Sequence, residues 1–265
     1  MKRIIHISNL KGGVGKTVFA KALVEYLRTK PELSVAAYDA DGGVGGLLAA
    51  LGAKDDDGFP SEDQDPLVGV GFFDIRSQSE RGMMLNCLDS GADIIVIDTA
   101  GGSLSDLRKI TDNGEGTDEL TRCYEQEGYR FTIAHVISNL LPATKSVGFY
   151  LDAFGDRADH IVVLNCAFGK PKSKSDFPFW YGYTDADGYK FGGSIRNSFL
   201  EHGGIEIELP SIPSSTFAKV EGMDISYYSA QMCISLQIAE RMHIQRFRSE
   251  FSRQCSSASK LLMPT

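Results

Sequence analysis

A glycine-rich segment near the start of the chain constrains its fold more than any other feature. Residues 11–17 read Lys-Gly-Gly-Val-Gly-Lys-Thr, with an apolar run before them and helically spaced apolar residues after them. A glycine-rich turn between a strand and a helix is typical of a phosphate-binding loop, because backbone N–H groups and the helix N-terminus converge there on phosphate oxygens. The pattern therefore predicts a nucleotide-binding α/β fold.

The side chains at the end of this loop have expected roles in binding a nucleotide. Lys16 can reach the β- and γ-phosphates, and the hydroxyl of Thr17 can bind Mg²⁺. Backbone N–H groups are expected to supply the other contacts to phosphate. The residues that carry them are Gly12, Gly13, Val14, Gly15, Lys16, Thr17 and Val18.

The loop departs from the general pattern G-x-x-x-x-G-K-S/T, because Leu10 stands where the first glycine is expected. The next residue is Lys11, and the arrangement K-G-G-x-G-K-S/T resembles the deviant Walker A motif of the ParA/MinD family of dimerising ATPases. The resemblance implies that Lys11 crosses a homodimer interface to the partner's phosphates and acts in catalysis together with Lys16. ATP would then hold the dimer together, and slow hydrolysis would release it.

Two later segments resemble further motifs of the same family. Residues 35–41 are an apolar run that ends in Asp-Ala-Asp and resembles the D-x-D first switch, which implies that Asp41 orients the attacking water. Residues 94–102 contain a second apolar run, in which Asp98 resembles the Walker B carboxylate near Mg²⁺ and Gly101 could offer its N–H to the γ-phosphate. Ligands of open α/β sheets bind at the carboxyl ends of the strands, where these residues are predicted to lie.

The choice of base is indicated by a motif that the chain lacks. GTP-specific phosphate-loop proteins usually carry N-K-x-D or T-K-x-D after a late strand, whereas residues 165–168 read Asn-Cys-Ala-Phe. ATP is therefore the expected nucleotide. Asn165 resembles the family asparagine that contacts adenine, and Pro213 belongs to a segment that resembles the family's I-P wall of the base. A buried structural asparagine and an ordinary loop are the alternatives.

Elsewhere the chain alternates between strand-like and helix-like segments, which predicts one α/β domain over residues 1–265 with a mainly parallel sheet and helices on both faces. A length of 265 residues and a hydrophobic content of 42% suit such a domain. Strands are expected at 3–8, 34–39, 68–74, 93–98, 130–137, 160–165 and 205–209. Helices are expected at 16–29, 77–89, 103–111, 117–127, 143–154, 193–202 and across much of 225–253.

Two segments interrupt this alternation. Residues 54–66 are rich in Asp and Glu and are expected to form a solvated loop. Residues 168–193 combine lysines with eight aromatic side chains around an Asp-Ala-Asp-Gly turn, which predicts a loop followed by an aromatic β-hairpin insert. Exposed aromatic and basic residues can bind nucleic acid, but a structural role or a protein interface is the favoured interpretation.

Composition limits the cellular setting and the kinds of site. The chain has no stretch of 18 apolar residues and no apolar signal segment at its N-terminus, so a cytoplasmic protein is expected. Its five cysteines are widely spaced and form no C-x-x-C pair. Disulfides, zinc and an iron–sulfur cluster within the chain are therefore poorly supported, and reduced thiols are expected.

The partner is indicated only by charge near the C-terminus. Residues 241–265 hold five Lys or Arg and one acidic residue, whereas the whole chain has a net charge of −8. Non-specific DNA is a possible partner of Arg241, Arg246, Arg248 and Arg253, and the family resemblance also implies a regulatory protein. Plasmid or DNA partition is the favoured role. The alternatives are a packed terminal helix, a MinD-like membrane helix, a small-molecule ligase and a non-enzymatic adaptor.

Overall fold

The computed structural model describes residues 1–42, 45–111, 117–170 and 173–265. Within them, seven strands form one parallel sheet, in the spatial order third, second, fourth, first, fifth, sixth and last along the chain. These strands are β1 Lys2–Ser8, β2 Val35–Ala40, β3 Gly71–Phe72, β4 Ile94–Thr99, β5 Tyr129–Ile137, β6 Asp159–Asn165 and β9 Ile205–Leu209, and a separate hairpin contains β7 Tyr183–Thr184 and β8 Lys190–Phe191. The predicted parallel sheet is confirmed, although β3 is much shorter than residues 68–74.

Helices cover both faces of the sheet, as predicted. The α-helices of the described residues are α1 Lys16–Arg28, α2 Gly46–Leu51, α3 Met83–Asn86, α4 Leu104–Leu107, α5 Thr117–Gln126, α6 Leu141–Phe154, α7 Pro178–Tyr181, α8 Ser194–Glu201, α9 Ser214–Gly222, α10 Tyr227–Met232, α11 Ile238–Ser257 and α12 Ser259–Leu262.

Several predicted helix boundaries were wrong. The helix expected at 77–89 is the single turn α3 followed by a 3₁₀ turn at Cys87–Ser90, because the polar residues before it form turns instead. The long helix expected across 225–253 is interrupted at Cys233, whose backbone is extended, and it continues as α11. The sequence patterns did not predict α2, α7, α9 or α12, which are short and lack a long helical period.

The sheet separates two hydrophobic layers, and successive strand residues point into opposite layers. In β1, Ile5 and Ile7 pack with α1 and α11, whereas Ile4 packs with α5 and the aromatic side chains around it. All six residues of β4 are buried. Strands covered on both faces are expected to be apolar throughout, which explains why the apolar runs predicted them well.

Strand register brings the polar ends of neighbouring strands together. Asp39 of β2 lies opposite Asp98 of β4, and Asp98 also lies opposite Ile7 of β1, just before the glycine-rich loop. Because all seven strands run in the same direction, the residues that follow β1, β2, β4 and β6 meet at one edge of the sheet. This edge is where the candidate site forms.

The insert at 168–193 contains the predicted hairpin, with Tyr183 paired to Phe191 across its two strands. Two aromatic residues before the hairpin, Phe177 and Trp180, are buried, however, so they belong to the core. Trp180 is fully buried, its indole N–H donates to Glu206 Oε1 at 2.6 Å, and Arg196 pairs with the same carboxylate at 2.7 Å. This part of the insert therefore covers the sheet beside β9, which supports the structural interpretation. Lys172 lies outside the described residues.

Three buried histidines lie in the central strands, away from the candidate site. His160 donates through Nε2 to the Gly155 carbonyl at 2.9 Å, so its Nδ1 is left to accept from His135 Nε2 at 3.0 Å. Burial lowers the pKa of His160 to about 4 and that of His6 to about 3. Burial, and then the neighbouring His160, lower the pKa of His135 well below its usual value. All three are neutral in the folded protein at pH 7.

These histidines predict a loss of stability in mild acid. Below pH 6.5 the unfolded chain binds protons at these side chains and the folded chain does not, so the free energy of unfolding falls as the pH falls. Each histidine contributes a slope that approaches about 1.4 kcal/mol per pH unit. The free energy of unfolding is measured in urea between pH 6 and pH 4.5 and plotted against pH. The three histidines together set part of this slope, and His6→Gln should remove about one third of that part. An unchanged slope would show that His6 is protonated in the folded state.

Candidate nucleotide site

The glycine-rich loop between β1 and α1 adopts a conformation that its sequence requires. Gly13 and Gly15 have φ angles of +74° and +99°, in the left-handed region that favours glycine. A Cβ atom at Gly15 would lie 2.3 Å from Asn165 Nδ2, whereas at Gly12 or Gly13 it would meet no atom within 4 Å. The loop is therefore tightly packed on its inner side and open on its outer side, where an anion could approach its backbone N–H groups.

The start of the loop is fixed by Asn9, a residue that the sequence analysis missed. Its buried amide donates to the carbonyl groups of Val136 at 2.9 Å and Ala143 at 3.1 Å, and its Oδ1 accepts the Lys11 N–H at 2.8 Å. The Leu10 N–H donates to Ser146 Oγ at 2.9 Å. These contacts attach the loop to β5 and α6. The only signal in the sequence is a polar residue directly after a buried strand.

A cavity of about 570 Å³ opens at this edge of the sheet and brings most of the predicted site residues together. The loop after β1, the ends of β2, β4 and β6, and the segment after β9 all contribute to its walls. The predicted residues that line it are Gly12, Gly13, Gly15, Lys16, Thr17, Val18, Asp41, Asp98, Gly101 and Asn165. Val14, Lys11 and Pro213 lie outside its lining: Val14 is buried, and Lys11 is exposed.

Asp98 is the most strongly perturbed carboxyl group of the cavity. Burial, reinforced by the neighbouring Asp39, raises the pKa of Asp98 to about 7, while a hydrogen bond with Thr17 and the charge of Lys16 act in the opposite direction. Burial likewise lowers the pKa of Lys16, and Asp98 and Asp41 oppose that shift. The ammonium group of Lys16 thus lies near the carboxyl groups of Asp98 and Asp41 in the cavity. A positive charge in this position could neutralise a bound phosphate.

The oxygen atoms at this point fit a magnesium ion. Asp98 Oδ1 is buried without a hydrogen-bond partner, and the hydroxyl of Thr17 lies beside the same carboxylate. Mg²⁺ prefers oxygen ligands and usually keeps several waters, with one or two protein carboxylates and substrate phosphates. No cluster of three or more His, Cys, Asp or Glu suited to a metal occurs among the described residues.

The two carboxylates of the Asp-Ala-Asp sequence have different environments. Asp39 is fully buried and accepts the backbone N–H groups of Leu48 at 3.1 Å and Asp41 at 3.2 Å. The side chain of Asp41 is 44% exposed, lies at the rim of the cavity, and pairs with Arg76 at 2.8 Å. Asp39 therefore shapes the loop after β2, while Asp41 is accessible to water. Gly43, which follows this sequence, lies outside the described residues.

The two residues predicted to contact the base, Asn165 and Pro213, lie in different surroundings. Asn165 donates through Nδ2 to the Val14 carbonyl at 2.8 Å and accepts the Ala167 N–H at 3.0 Å, so it positions the phosphate loop. Its contact with adenine stays a prediction. Pro210 and Ile212 line the main cavity, whereas Pro213 precedes α9 and borders a neighbouring cavity of about 520 Å³.

The four arginines of α11 do not form one patch. Residues seven apart share a helix face, so Arg241 lies with Arg248, and Arg246 lies with Arg253 on another face. Arg248 lies over the ring of Tyr228, 5.0 Å from its centroid, and hydrogen-bonds Gln231, whereas Arg246 is exposed and pairs with Glu250 at 2.8 Å. The four arginines thus divide into a half-buried pair, Arg241 and Arg248, and an exposed pair, Arg246 and Arg253, and their contact with DNA stays a prediction.

The apolar side of α11 is occupied by the protein's own core. Phe247 and Phe251 are buried against α1 and the sheet, and Phe247 also reaches the wall of the main cavity. Among the apolar side chains that a membrane helix would use, Leu236 is also buried, whereas Ala239 and Met242 are exposed. Within the described part of the chain, no helix is both long and apolar enough to cross a membrane.

No family model matches this chain, and no curated protein matches it. Solved structures similar to it include a ParA family ATPase from Chlorobium tepidum TLS, with 13% identity, coverage of 93% of this chain and 97% of the other, and a TM-score of 0.51. They also include MinD complexed with Mg-ADP from Pyrococcus horikoshii OT3, with 14% identity, coverage of 95% and 96%, and a TM-score of 0.48.

A third similar structure is a putative plasmid partition protein from Borrelia burgdorferi B31 bound to AMPPNP, with 11% identity, coverage of 96% and 99%, and a TM-score of 0.45. The three similar structures are thus a ParA family ATPase, a MinD protein and a putative plasmid partition protein, all at low sequence identity. The similarity to the ParA family ATPase shows that the two chains share a fold.

Proposed function

We propose that this protein is a Mg-ATP-dependent ATPase of the ParA/MinD type that acts as a homodimeric molecular switch. One observation carries the proposal: a single cavity joins the glycine-rich loop to Lys16, Asp41 and Asp98. The shared fold with a ParA family ATPase supports it. Lys11, which resembles the additional lysine of the deviant Walker A motif, favours this family over other phosphate-loop proteins.

Binding of the triphosphate is assigned to the loop and to Lys16. The outward-facing glycines leave room for phosphate oxygens to approach the backbone N–H groups, and the N-terminus of α1 adds a partial positive charge. Lys16 lies beside these groups in the cavity and can neutralise charge on the β- and γ-phosphates. In phosphoryl transfer, positioning and charge neutralisation supply most of the catalysis.

Thr17 and Asp98 are the residues that would hold Mg²⁺, with Asp98 acting through water. When bound, the ion neutralises charge on the phosphate oxygens. The buried Asp98 Oδ1 gains a partner in this arrangement, which removes an otherwise unsatisfied polar atom from the site. Thr17 lies in the first turn of α1, so its hydroxyl is positioned by the same helix that faces the phosphates.

Asp41 is assigned the task of orienting the attacking water. It lies at the rim of the cavity and is accessible to solvent, whereas Asp39 is enclosed by backbone N–H groups. Gly101 lies against the phosphate loop, because a Cβ atom built on it would be 3.7 Å from Gly12 Cα. Its N–H is therefore a candidate donor to the γ-phosphate. ATP is the proposed nucleotide, with Asn165 on the base side of the cavity.

Lys11 supplies the test of dimerisation. It is exposed and lies outside the lining of the cavity, which suits a side chain that acts on a second copy. Lys11→Ala should retain the affinity of a monomer for ADP but lose ATP-dependent dimerisation, because the charge contributed across the interface is removed. Analytical ultracentrifugation with ATP and with ADP measures both states.

Lys260→Ala is a suitable control for that experiment, since Lys260 is an exposed lysine of α12. This variant should dimerise with ATP as the unmodified protein does. If Lys11→Ala forms the ATP-bound dimer normally and hydrolyses ATP at the normal rate, Lys11 is an ordinary loop residue and the trans role is wrong.

We also propose that the switch serves plasmid or DNA partition, together with a regulatory protein partner. Arg246 and Arg253, on the outer face of α11, are the arginines best placed to contact phosphates of non-specific DNA. Phosphate contacts are weakened by salt, so DNA binding should require ATP and fall steeply with ionic strength. Phosphate release measured with DNA, with anionic vesicles and with neither addition separates DNA and membrane roles.

The competing functions are less well supported by particular observations. A membrane helix would need the apolar side of α11, where Phe247 and Phe251 are buried. A small-molecule ligase would need a substrate pocket in the insert, but Phe177 and Trp180 are buried in the core. Only Phe168 of that segment lines the main cavity among the described residues.

A further inference from the structure

Arg76, in the segment after β3, contacts the carboxylate of Asp41. In the proposed function, this carboxylate orients the attacking water. The Nη2 atom of Arg76 lies 2.8 Å from Asp41 Oδ1, and its Nε atom lies 3.0 Å from Asp74 Oδ1. The backbone N–H of Arg76 donates to the same Asp74 oxygen at 2.9 Å. The guanidinium group is thus held at one end by Asp74 and presents its other end to Asp41.

The backbone around this contact is also fixed. Asp41 and Asp74 form an antiparallel bridge, and the Gly42 N–H donates to the Phe73 carbonyl at 3.2 Å. The Asp74 N–H donates to Glu80 Oε2 at 2.8 Å, which attaches the segment to the turns before α3. The end of β2 therefore cannot move independently of the segment that carries Arg76.

The exposure of the two side chains limits what the ion pair can do. Arg76 is 51% exposed and Asp41 is 44% exposed, and exposed ion pairs contribute little to folding stability. Arg76 nevertheless donates one N–H to Asp74 and a second to Asp41, so a planar guanidinium group that is fixed by one carboxylate restricts the orientation of the other. Arg76 does not line the cavity, so its effect on a nucleotide would pass through Asp41.

We infer that Arg76 is a positioning residue for ATP hydrolysis: it holds the Asp41 carboxylate at the rim of the cavity in the orientation that directs the attacking water. The inference rests on the proposed ATPase function. It assigns a role to a residue outside the phosphate loop and both switch-like motifs. It also explains why the segment after β3 is bridged to the end of β2.

The test is a double-mutant cycle on steady-state ATP hydrolysis. Arg76→Gln should lower kcat about tenfold and leave the Kd for an ATP analogue unchanged, because the residue orients a group and does not bind phosphate. Arg76→Lys, which keeps the charge, should restore part of the lost rate. In an Asp41→Asn background, Arg76→Gln should cause no further loss, since the carboxylate through which it acts is absent.

Arg81→Ala is the matched control for loosening of the segment, because Arg81 donates to the carbonyl groups of Ile75 at 3.1 Å and Arg76 at 3.2 Å without contacting Asp41. It should leave kcat within about twofold of the unmodified protein. An equal loss in Arg81→Ala would show that loosening of the segment, and not orientation of Asp41, lowers the rate. Independent losses from Arg76→Gln and Asp41→Asn would overturn the inference as well.

The cycle also distinguishes failure of this inference from failure of the proposed function. If the unmodified protein releases no phosphate from ATP, the ATPase assignment itself is wrong. If it hydrolyses ATP and Arg76→Gln weakens binding of the ATP analogue but not of ADP, Arg76 contacts the γ-phosphate directly. That result would replace positioning through Asp41 with a direct phosphate contact and overturn the inference.

Discussion

Lys16→Ala should reduce the affinity of the protein for ATP by roughly 10- to 150-fold, because it removes the ammonium group that faces the phosphates. Hydrogen bonds to charged groups contribute about 1.5–3 kcal/mol, which corresponds to that range. The loss should be large here because Lys16 lies in a partly buried site, where water replaces its charge poorly. Isothermal titration calorimetry with ATP measures the effect directly.

Lys260→Ala serves as the comparison in that titration, since Lys260 is an exposed lysine outside the cavity and its loss should leave the affinity for ATP unchanged. A thermal melt of both variants establishes that they are folded. Near-normal ATP affinity in Lys16→Ala would remove the phosphate-loop assignment, whatever the state of the other site residues.

Asp41→Ala should separate nucleotide binding from turnover. The variant should bind ATP with nearly normal affinity and accumulate as an ATP-bound dimer, while phosphate release falls at least about a hundredfold. The reason is that Asp41 lies at the rim, where it can orient water, and the loop and Lys16 that bind phosphate are left intact. Hydrolysis at the normal rate would place the catalytic role on another residue.

The sequence predicted the sheet and most of the residues that line the main cavity because both depend on short, local patterns. Strands such as β4 are continuous apolar runs, and a strand buried on both faces needs no alternation with polar residues. The glycine-rich loop is a contiguous motif whose backbone conformation is restricted to glycine at Gly13 and Gly15. Asp98 and Asp41 were predicted from their positions at strand ends, which the parallel register then placed beside Lys16.

The features that were missed depend on contacts between distant parts of the chain. Arg76 approaches Asp41 only because β3 pairs with β2, and no local pattern marks Arg76 as different from other arginines. The burial of Trp180 could not be predicted from neighbouring residues, because its indole N–H donates to Glu206 on the distant strand β9. The faces of α11 could not be assigned from the sequence because its apolar period is weak and tertiary packing decides which side is covered.

The central claim is that this cavity binds and hydrolyses Mg-ATP, and phosphate release from ATP tests it most directly. We expect the unmodified protein to release phosphate slowly from ATP, only with Mg²⁺ present, and to release little from GTP. Asp41→Ala should lower the release at least about a hundredfold under the same conditions, and Lys16→Ala should lower it strongly as well. No release from the unmodified protein, or equal release from Lys16→Ala, would contradict the account.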